Sequence, residues 1–298
     1  MQLVGTLCLP SEQGRFPVVL MVHGSGPLDR DENMKGQKLD VFNTIAHGLA
    51  RGGIASVRYD KRGCGASQGN YYSAGLQDLV DDVTSWFDEL SRQALVRPDK
   101  IFFLGHSEGC LVSARAALDR PQTAGLALLC PFVKPTEDIL LDQAAHIERE
   151  LATKNGLSGA LIKLATSLMG GPVANQRKLI QKLKTSTAPS LRVGLQRLPA
   201  KCLRDLLNTD AAQVYAATRC PLLLVGAEKD LQCDPADVPT IAALTSGPVE
   251  SHVVLDLTHL LRRDERAPTI LGAARLLTQP VDSEVVDRVV EWAQARVE

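Results

Sequence analysis

The chain reads as an α/β protein built on a doubly wound, mostly parallel sheet with a block of inserted helices, and three observations predict this. From residue 17 to residue 129, short apolar runs alternate with stretches carrying apolar residues at helical spacing, the pattern of a parallel sheet covered on both faces. Near the middle of that half, Gly105-His106-Ser107-Glu108-Gly109 joins an apolar strand to a helix. From about Val133 to Thr218 no convincing strand pattern is present, and after that the strands resume.

Taken in order, Met1 to Leu9 alternates loosely and predicts an edge or hairpin strand. Pro17 to Val22 is a buried strand that runs into the glycine-dense loop His23-Gly24-Ser25-Gly26-Pro27, where backbone N–H groups are free to point into space instead of pairing in a ladder. Phe42 to Arg51 carries Phe42, Ile45, Ala46 and Leu49 on one helical face and closes at Gly52-Gly53, before a strand from Ile54 to Tyr59. Leu76 to Leu90 is amphipathic helix, and Ile101 to Leu104 is a strand too short to be a buried helix. Leu111 to Leu118 then reads as helix and Gly125 to Leu129 as strand. In the inserted block, helices are predicted over Glu137–Leu151, 157–169, Gln176–Leu183 and Leu203–Ala217. Strands return at Pro221–Val225 and Ser251–Leu255, and a closing helix spans Ser283 to Val297. The division that follows is a core of residues 1–132 and 219–298 with a helical cap or lid over 133–218.

Composition narrows the function classes. Against 34 acidic residues stand 33 basic ones, so no net charge draws the chain to nucleic acid or to an anionic membrane. No apolar run is long enough to span a bilayer, and no basic region followed by a long apolar run marks the start as a signal peptide. Seven cysteines are scattered singly with no C-x-x-C pair, which predicts reduced thiols, a cytoplasmic protein and no metal centre. No cofactor is expected, and a homodimer is compatible with the sequence.

Chemistry starts at Ser107. A serine hydroxyl at neutral pH is a weak nucleophile and needs a base, which in turn needs a third group to fix its tautomer. Of the six histidines only His259 lies in a loop just past a strand's carboxyl end, on the edge expected for Ser107. Asp230 occupies the matching loop one strand earlier, in the chain order Ser, Asp, His; Asp234 competes with it, and Asp256 less so because it sits at the strand end. Two oxyanion donors are expected: the N–H of Glu108, which opens a helix and has no partner inside it, and the N–H of Ser25. The Glu108 side chain is favoured at a helix N-terminus whatever the function, Asp29-Arg30-Asp31 reads as a loop-fixing ion-pair cluster or a rim contact for polar substrates, and Asp60 to Arg62 reads as a turn that braces the site, its basic residues, Arg62 among them, able to meet a carboxylate.

With these residues assembled, the chain resembles the α/β-hydrolase superfamily. The resemblance rests on His23 to Pro27 with Asp29-Arg30-Asp31, Tyr59 to Gly63 with Gly65 and Ser67, Gly105 to Gly109, Cys220-Pro221 through Gly226 with Asp230-Leu231-Gln232, and Leu257 to Leu260. It is similar to the bacterial carboxylesterase branch grouped with dienelactone hydrolase-like and serine aminopeptidase-like proteins. That likeness implies an eight-stranded sheet with an inserted lid, Ser107 as nucleophile, Asp230 as acid, His259 as base, and Ser25 and Glu108 as oxyanion donors. It departs from the branch at Cys233, where a small aliphatic residue is usual, and through the inserted helices. The expectation is a serine hydrolase acting on small-molecule carboxylic esters of short to medium acyl chain through an acyl-enzyme. Peptide, amide or thioester cleavage with the same residues, and a catalytically idle binding protein, are the alternatives.

Overall fold

The structure, a computed structural model, describes residues 1–153 and 170–297. Its strands are β1 (Gly5–Cys8), β2 (Phe16–Val22), β3 (Ala55–Tyr59), β4 (Val96–His106), β5 (Gly125–Leu129), β6 (Leu191–Val193), β7 (Gln196–Leu198), β8 (Leu222–Ala227) and β9 (Val249–Val254). Its helices are α1 (Val41–Arg51), α2 (Leu76–Leu90), α3 (Glu108–Asp119), α4 (Thr136–Thr153), α5 (Gly171–Thr185), α6 (Ala200–Leu207), α7 (Ala211–Ala217), α8 (Asp237–Leu244) and α9 (Ser283–Gln294). Seven strands form the main sheet in the order β1-β3-β2-β4-β5-β8-β9, with β1 antiparallel to β3 and every other pairing parallel.

The topology follows from handedness. The step from β2 through α1 to β3 moves toward one edge, whereas β3 through α2 to β4 moves back across β2 toward the other. Right-handed crossovers therefore put α1 and α2 on opposite faces. On one face α1 packs against α9, and on the other α2 packs against α3. The central strands are apolar throughout, because both faces are covered: Val18, Leu20, Met21, Ile101 to Leu104 and Leu222 to Val225 have no exposed surface. The reversal of direction lies between β2 and β4, and ligands of open α/β sheets collect outside the carboxyl ends of strands at such a point. Ser25 follows β2 and Ser107 follows β4.

Several expectations are corrected. Among the described residues the sheet has seven strands, where the resemblance implies eight. Only Gly5–Cys8 pairs ahead of β2, because Pro10 and the turn through Gly14 lead directly into Phe16. The block between β5 and β8 does contain strands: β6 and β7 form an antiparallel hairpin turning at Gly194, each too short to display a period of two in sequence. The single helix expected over Leu203–Ala217 is two, α6 and α7, parted where the Asp210 side chain caps α7 by accepting from the Gln213 N–H. Helix α8 had no sequence counterpart. The helix expected over 157–169 lies outside the described residues.

Candidate active site

The turn at Ser107 is strained in the way its sequence demands. Ser107 has φ 54° and ψ −118°, a conformation that costs on the order of 1–3 kcal/mol and persists only where surrounding structure enforces it. Its N–H is tied to the carbonyl of Leu129 on β5 at 2.9 Å, and its own carbonyl accepts from Cys110 at 2.9 Å. The flanking glycines are needed for close approach. A Cβ on Gly109 would lie 2.1 Å from the Val22 carbonyl oxygen, and one on Gly105 would lie 2.4 Å from the Gly109 oxygen. The hydroxyl is thereby held at the carboxyl edge of β4.

His259 and Asp230 meet there. His259 Nδ1 is 2.7 Å from Asp230 Oδ2, with the Asp230 carboxylate almost fully buried. The other oxygen, Oδ1, accepts from the N–H groups of Gln232 (2.7 Å) and Cys233 (2.9 Å), so the acid is locked by its own turn. The competitors face elsewhere: Asp234 pairs with Lys134 at the surface, and Asp256 with Lys229. Ser107 and His259 line one cavity of about 620 Å³. No hydrogen bond joins the Ser107 hydroxyl to His259 among the described residues; such contacts often tighten only once substrate is seated. Cys233 lines the same cavity, and burial pushes its thiol well above the usual range.

The N–H groups of Ser25 and Glu108 donate to no protein acceptor among the described residues, although both flank the cavity. Their neighbours are held firmly. Lys61 Nζ donates to the Gly24 carbonyl and to Glu108 Oε1, both at 2.8 Å, while the Ser25 hydroxyl donates to Glu108 Oε2 at 3.0 Å. Burial alone would lower the Lys61 pKa, but the adjacent Glu108 carboxylate more than reverses this and raises it well above the ordinary lysine value. The Glu108 side chain therefore braces the loop that carries Ser25. The turn from Asp60 to Arg62, expected to brace the site, does so here through Lys61; the sequence does not mark Glu108 as its partner.

A second buried pair lies beneath the first. Glu32, in the loop after β2, faces His106 Nδ1 with both carboxylate oxygens at 3.0 Å and accepts from the Gly24 N–H at 2.8 Å. The remaining charges of this region brace the turns: Arg30 binds Asp60 and Thr6, Arg58 binds Asp31, and Arg62 binds Asp78 and Asp82. None of Asp29, Arg30 and Arg62 lines the cavity. His23 is a buried core ring, its pKa lowered to about 4 by burial, packed on Phe42 and Tyr59 with neither ring nitrogen in a hydrogen bond among the described residues.

Two groups could be asked to hold a metal, since their ligand atoms lie within 4.8 Å of one another: His106, Cys130 and His259, and Asp230, Cys233 and His259. His106 has both ring nitrogens committed to oxygen acceptors, and Asp230 and His259 are bonded to each other. Neither trio presents a free set of lone pairs.

The roof of the cavity comes from the block between β5 and β8 and from the segment after His259. Ile139 and Leu140 on α4, Leu203 and Leu206 on α6, Leu277 and Phe132 give it apolar lining. The acids that line it are Glu32 and Glu108, already engaged by the buried His106 ring and Lys61 ammonium respectively, and no Lys or Arg lines it among the described residues.

Residues 35–266 match the family described as Serine aminopeptidase, S33. Esterase EstD of Thermotoga maritima is 27% identical over 292 residues, covering 97% of this chain and 65% of EstD, so the chain spans just under two thirds of that relative. Among solved structures, Est1E of Butyrivibrio proteoclasticus with bound ferulic acid matches with a TM-score of 0.61 at 16% identity, over 98% of this chain and 93% of that one. A monoacylglycerol lipase of Paleococcus ferrophilus matches with a TM-score of 0.59 at 16% identity, over 99% and 100% of the two chains. At these identities the structural likeness speaks for the fold alone, a mostly parallel sheet with flanking helices.

Proposed function

The chain belongs to the serine aminopeptidase S33 family of α/β-hydrolases, and from that premise we propose that it is a serine hydrolase cleaving neutral carboxylic esters of short to medium acyl chain. The observation that carries this reading is the 2.7 Å bond between His259 Nδ1 and Asp230 beside the strained Ser107, with two unengaged N–H groups across the same cavity.

Asp230 holds the His259 tautomer with hydrogen on Nδ1, leaving Nε2 free to take the hydroxyl proton as Ser107 Oγ attacks the ester carbonyl. The tetrahedral oxyanion is received by the N–H groups of Ser25 and Glu108, donors that commonly contribute several kcal/mol at the transition state. Collapse breaks the bond to the alkoxy oxygen, which takes the proton from His259 and leaves the acyl group on Ser107. Water, deprotonated by His259, then releases the acid and restores the serine.

Ester rather than peptide substrates are favoured by the cavity. An aminopeptidase must bind a substrate ammonium, for which a free carboxylate is the natural partner. Here Glu32 and Glu108 are already engaged by the buried His106 ring and Lys61 ammonium respectively, and the rest of the lining is mostly apolar. The name of EstD, similar to this chain over 97% of its length, points the same way. The volume, about 620 Å³, lies within the ordinary range for small-molecule sites and suits a medium acyl chain better than a polymer. Residues 133–218 act as the lid over the core formed by 1–132 and 219–298. The seven free cysteines agree with a reducing, cytoplasmic setting, and no helix among the described residues is long and apolar enough to cross a membrane.

The test compares wild type with Ser107→Ala on a fluorophosphonate probe, a series of p-nitrophenyl esters and an aminoacyl p-nitroanilide. Labelling and ester turnover are expected in wild type and neither in the variant. An unlabelled wild type, or turnover of the anilide in preference to every ester, would overturn the proposal.

A further inference from the structure

His106 and Glu32 are buried titratable groups that the reaction above does not use, and the contacts of His106 are unusual. Its Nε2 lies 3.0 Å from the carbonyl oxygen of His259, which can only accept. Its Nδ1 lies 3.0 Å from both oxygens of Glu32, one of which already accepts the Gly24 N–H. Equal distances to the two oxygens are the geometry of one N–H shared by a carboxylate, since a carboxylic O–H would approach along one oxygen only. Both ring nitrogens of His106 therefore carry hydrogen, and the ring is an imidazolium. Glu32 and His106 are 1% and 3% exposed, so the charges have only each other and these fixed dipoles for solvation.

The connections this makes are long-range. His106 precedes the nucleophile on β4, its Nε2 grips the backbone of the base 153 residues away, and Glu32 grips the N–H of Gly24, next to the Ser25 donor. Resting on the hydrolase reading of Ser107, His259 and Asp230, we propose that the buried Glu32–His106 pair is a positioning device that holds the base loop and the oxyanion loop in register with the nucleophile.

The pair also sets a pH limit. The groups facing it are Asp230, Cys130 and the His259 ring around His106, and His23 and Arg262 around Glu32. Burial opposes the His106 charge, but Glu32 and then the His259 carbonyl outweigh it and raise the pKa. Burial likewise works against the Glu32 charge and His106 outweighs it, so that carboxyl is lowered. The His106 contribution is thus fully present below the ordinary histidine range and is lost as pH rises through the raised value. The Glu32 contribution is present above the ordinary glutamate range and is lost as pH falls through the lowered one. At the alkaline end the loss leaves one ring lone pair facing an oxygen that can only accept, on the Glu32 carboxylate or the His259 carbonyl.

The Glu32→Gln substitution separates charge from connection. Its amide oxygen can still accept from Gly24 and its amide N–H can donate to a neutral His106, whose Nε2–H keeps the His259 carbonyl. Glu32→Ala removes both links. With sites counted by fluorophosphonate titration, Glu32→Ala is expected to lower kcat per site by roughly 30- to 100-fold with KM within about threefold, as expected for lost transition-state alignment. Wild type is expected to lose kcat at alkaline pH, and Glu32→Gln to hold kcat within about threefold at neutral pH and to lack that alkaline fall. In Ser107→Ala protein, NMR should find two ring N–H protons on His106 at neutral pH, and one when Glu32→Gln is added. Full kcat per site in Glu32→Ala with only a lowered melting temperature, an unchanged alkaline fall in Glu32→Gln, or a single ring N–H on His106 would each overturn the pair's role. A wild type that does not label would overturn the hydrolase reading instead, and the catalytic part of this proposal with it.

Discussion

The floor and the roof of the cavity are both laced with ion pairs, yet the pairs differ in kind. Beneath Ser107 they are buried: Lys61 and Glu108 side chains are 4% and 6% exposed, and Glu32 and His106 are more enclosed than that on average. In the block between β5 and β8 they lie at the surface, as with Lys184 and Glu137 at 42% and 41%. Helix packing follows the same divide. Nine residues of α3 are buried against the sheet, but only Ala144 of α4 and Ile180 and Leu183 of α5 are. Charges buried at a desolvation cost are found where loops distant in sequence must keep one geometry. The roof needs only to exclude water and offer apolar surface, so it is held by weaker contacts and is free to differ in sequence.

On the proposed mechanism, removing the Asp230 carboxylate breaks the floor most severely. Asp230→Asn is expected to lower kcat by about 10⁴-fold while KM changes little, because the wrong His259 tautomer is then favoured. Asp234→Asn, which alters only a surface pair with Lys134, should leave kcat within about twofold. Steady-state kinetics on a p-nitrophenyl ester distinguish the two, and equal losses would remove Asp230 from its role.

The ion pairs themselves come next. Lys61→Met leaves Glu108 buried without its cation and is expected to cost about 3–5 kcal/mol in urea unfolding, with a lower kcat as the Ser25 loop loosens. Lys184→Met breaks an exposed pair of the roof and should cost under about 1 kcal/mol. Similar values for the two would show that burial is not what separates floor from roof.

This division also decides what could be read in the sequence. That Ser107, Asp230 and His259 would meet at one sheet edge was legible because each sits at a strand's carboxyl end, and strand ends follow from local apolar runs and turn glycines. The partners of Lys61, Glu32 and His106 were not, since each lies 47, 74 or 153 residues away and nothing local marks the pairing, although the turn that holds Lys61 read as a brace. The seventh and outermost strands tell a similar story: β9 was found by its apolar run, whereas the count of eight rested on resemblance and failed at an N-terminal stretch with material for one strand. In the roof, three-residue strands such as β6 and β7 are shorter than the period needed to recognise them.

If the roof shapes the acyl pocket without holding the chemistry, a change there should alter substrate choice and little else. Leu140 on α4 lines the cavity and is only partly buried. Leu140→Trp adds bulk into that space from a helix with little packing to disturb, so urea stability should stay within about 0.5 kcal/mol. For p-nitrophenyl acetate kcat/KM should hold within about twofold. For the octanoate it should fall by about tenfold, since each methylene excluded from an apolar pocket is worth roughly 1–3 kcal/mol at most and the chain can partly fold around the obstacle. An equal fall for both esters would mean that α4 reaches the reacting centre, and that the separation of floor from roof drawn here is too sharp.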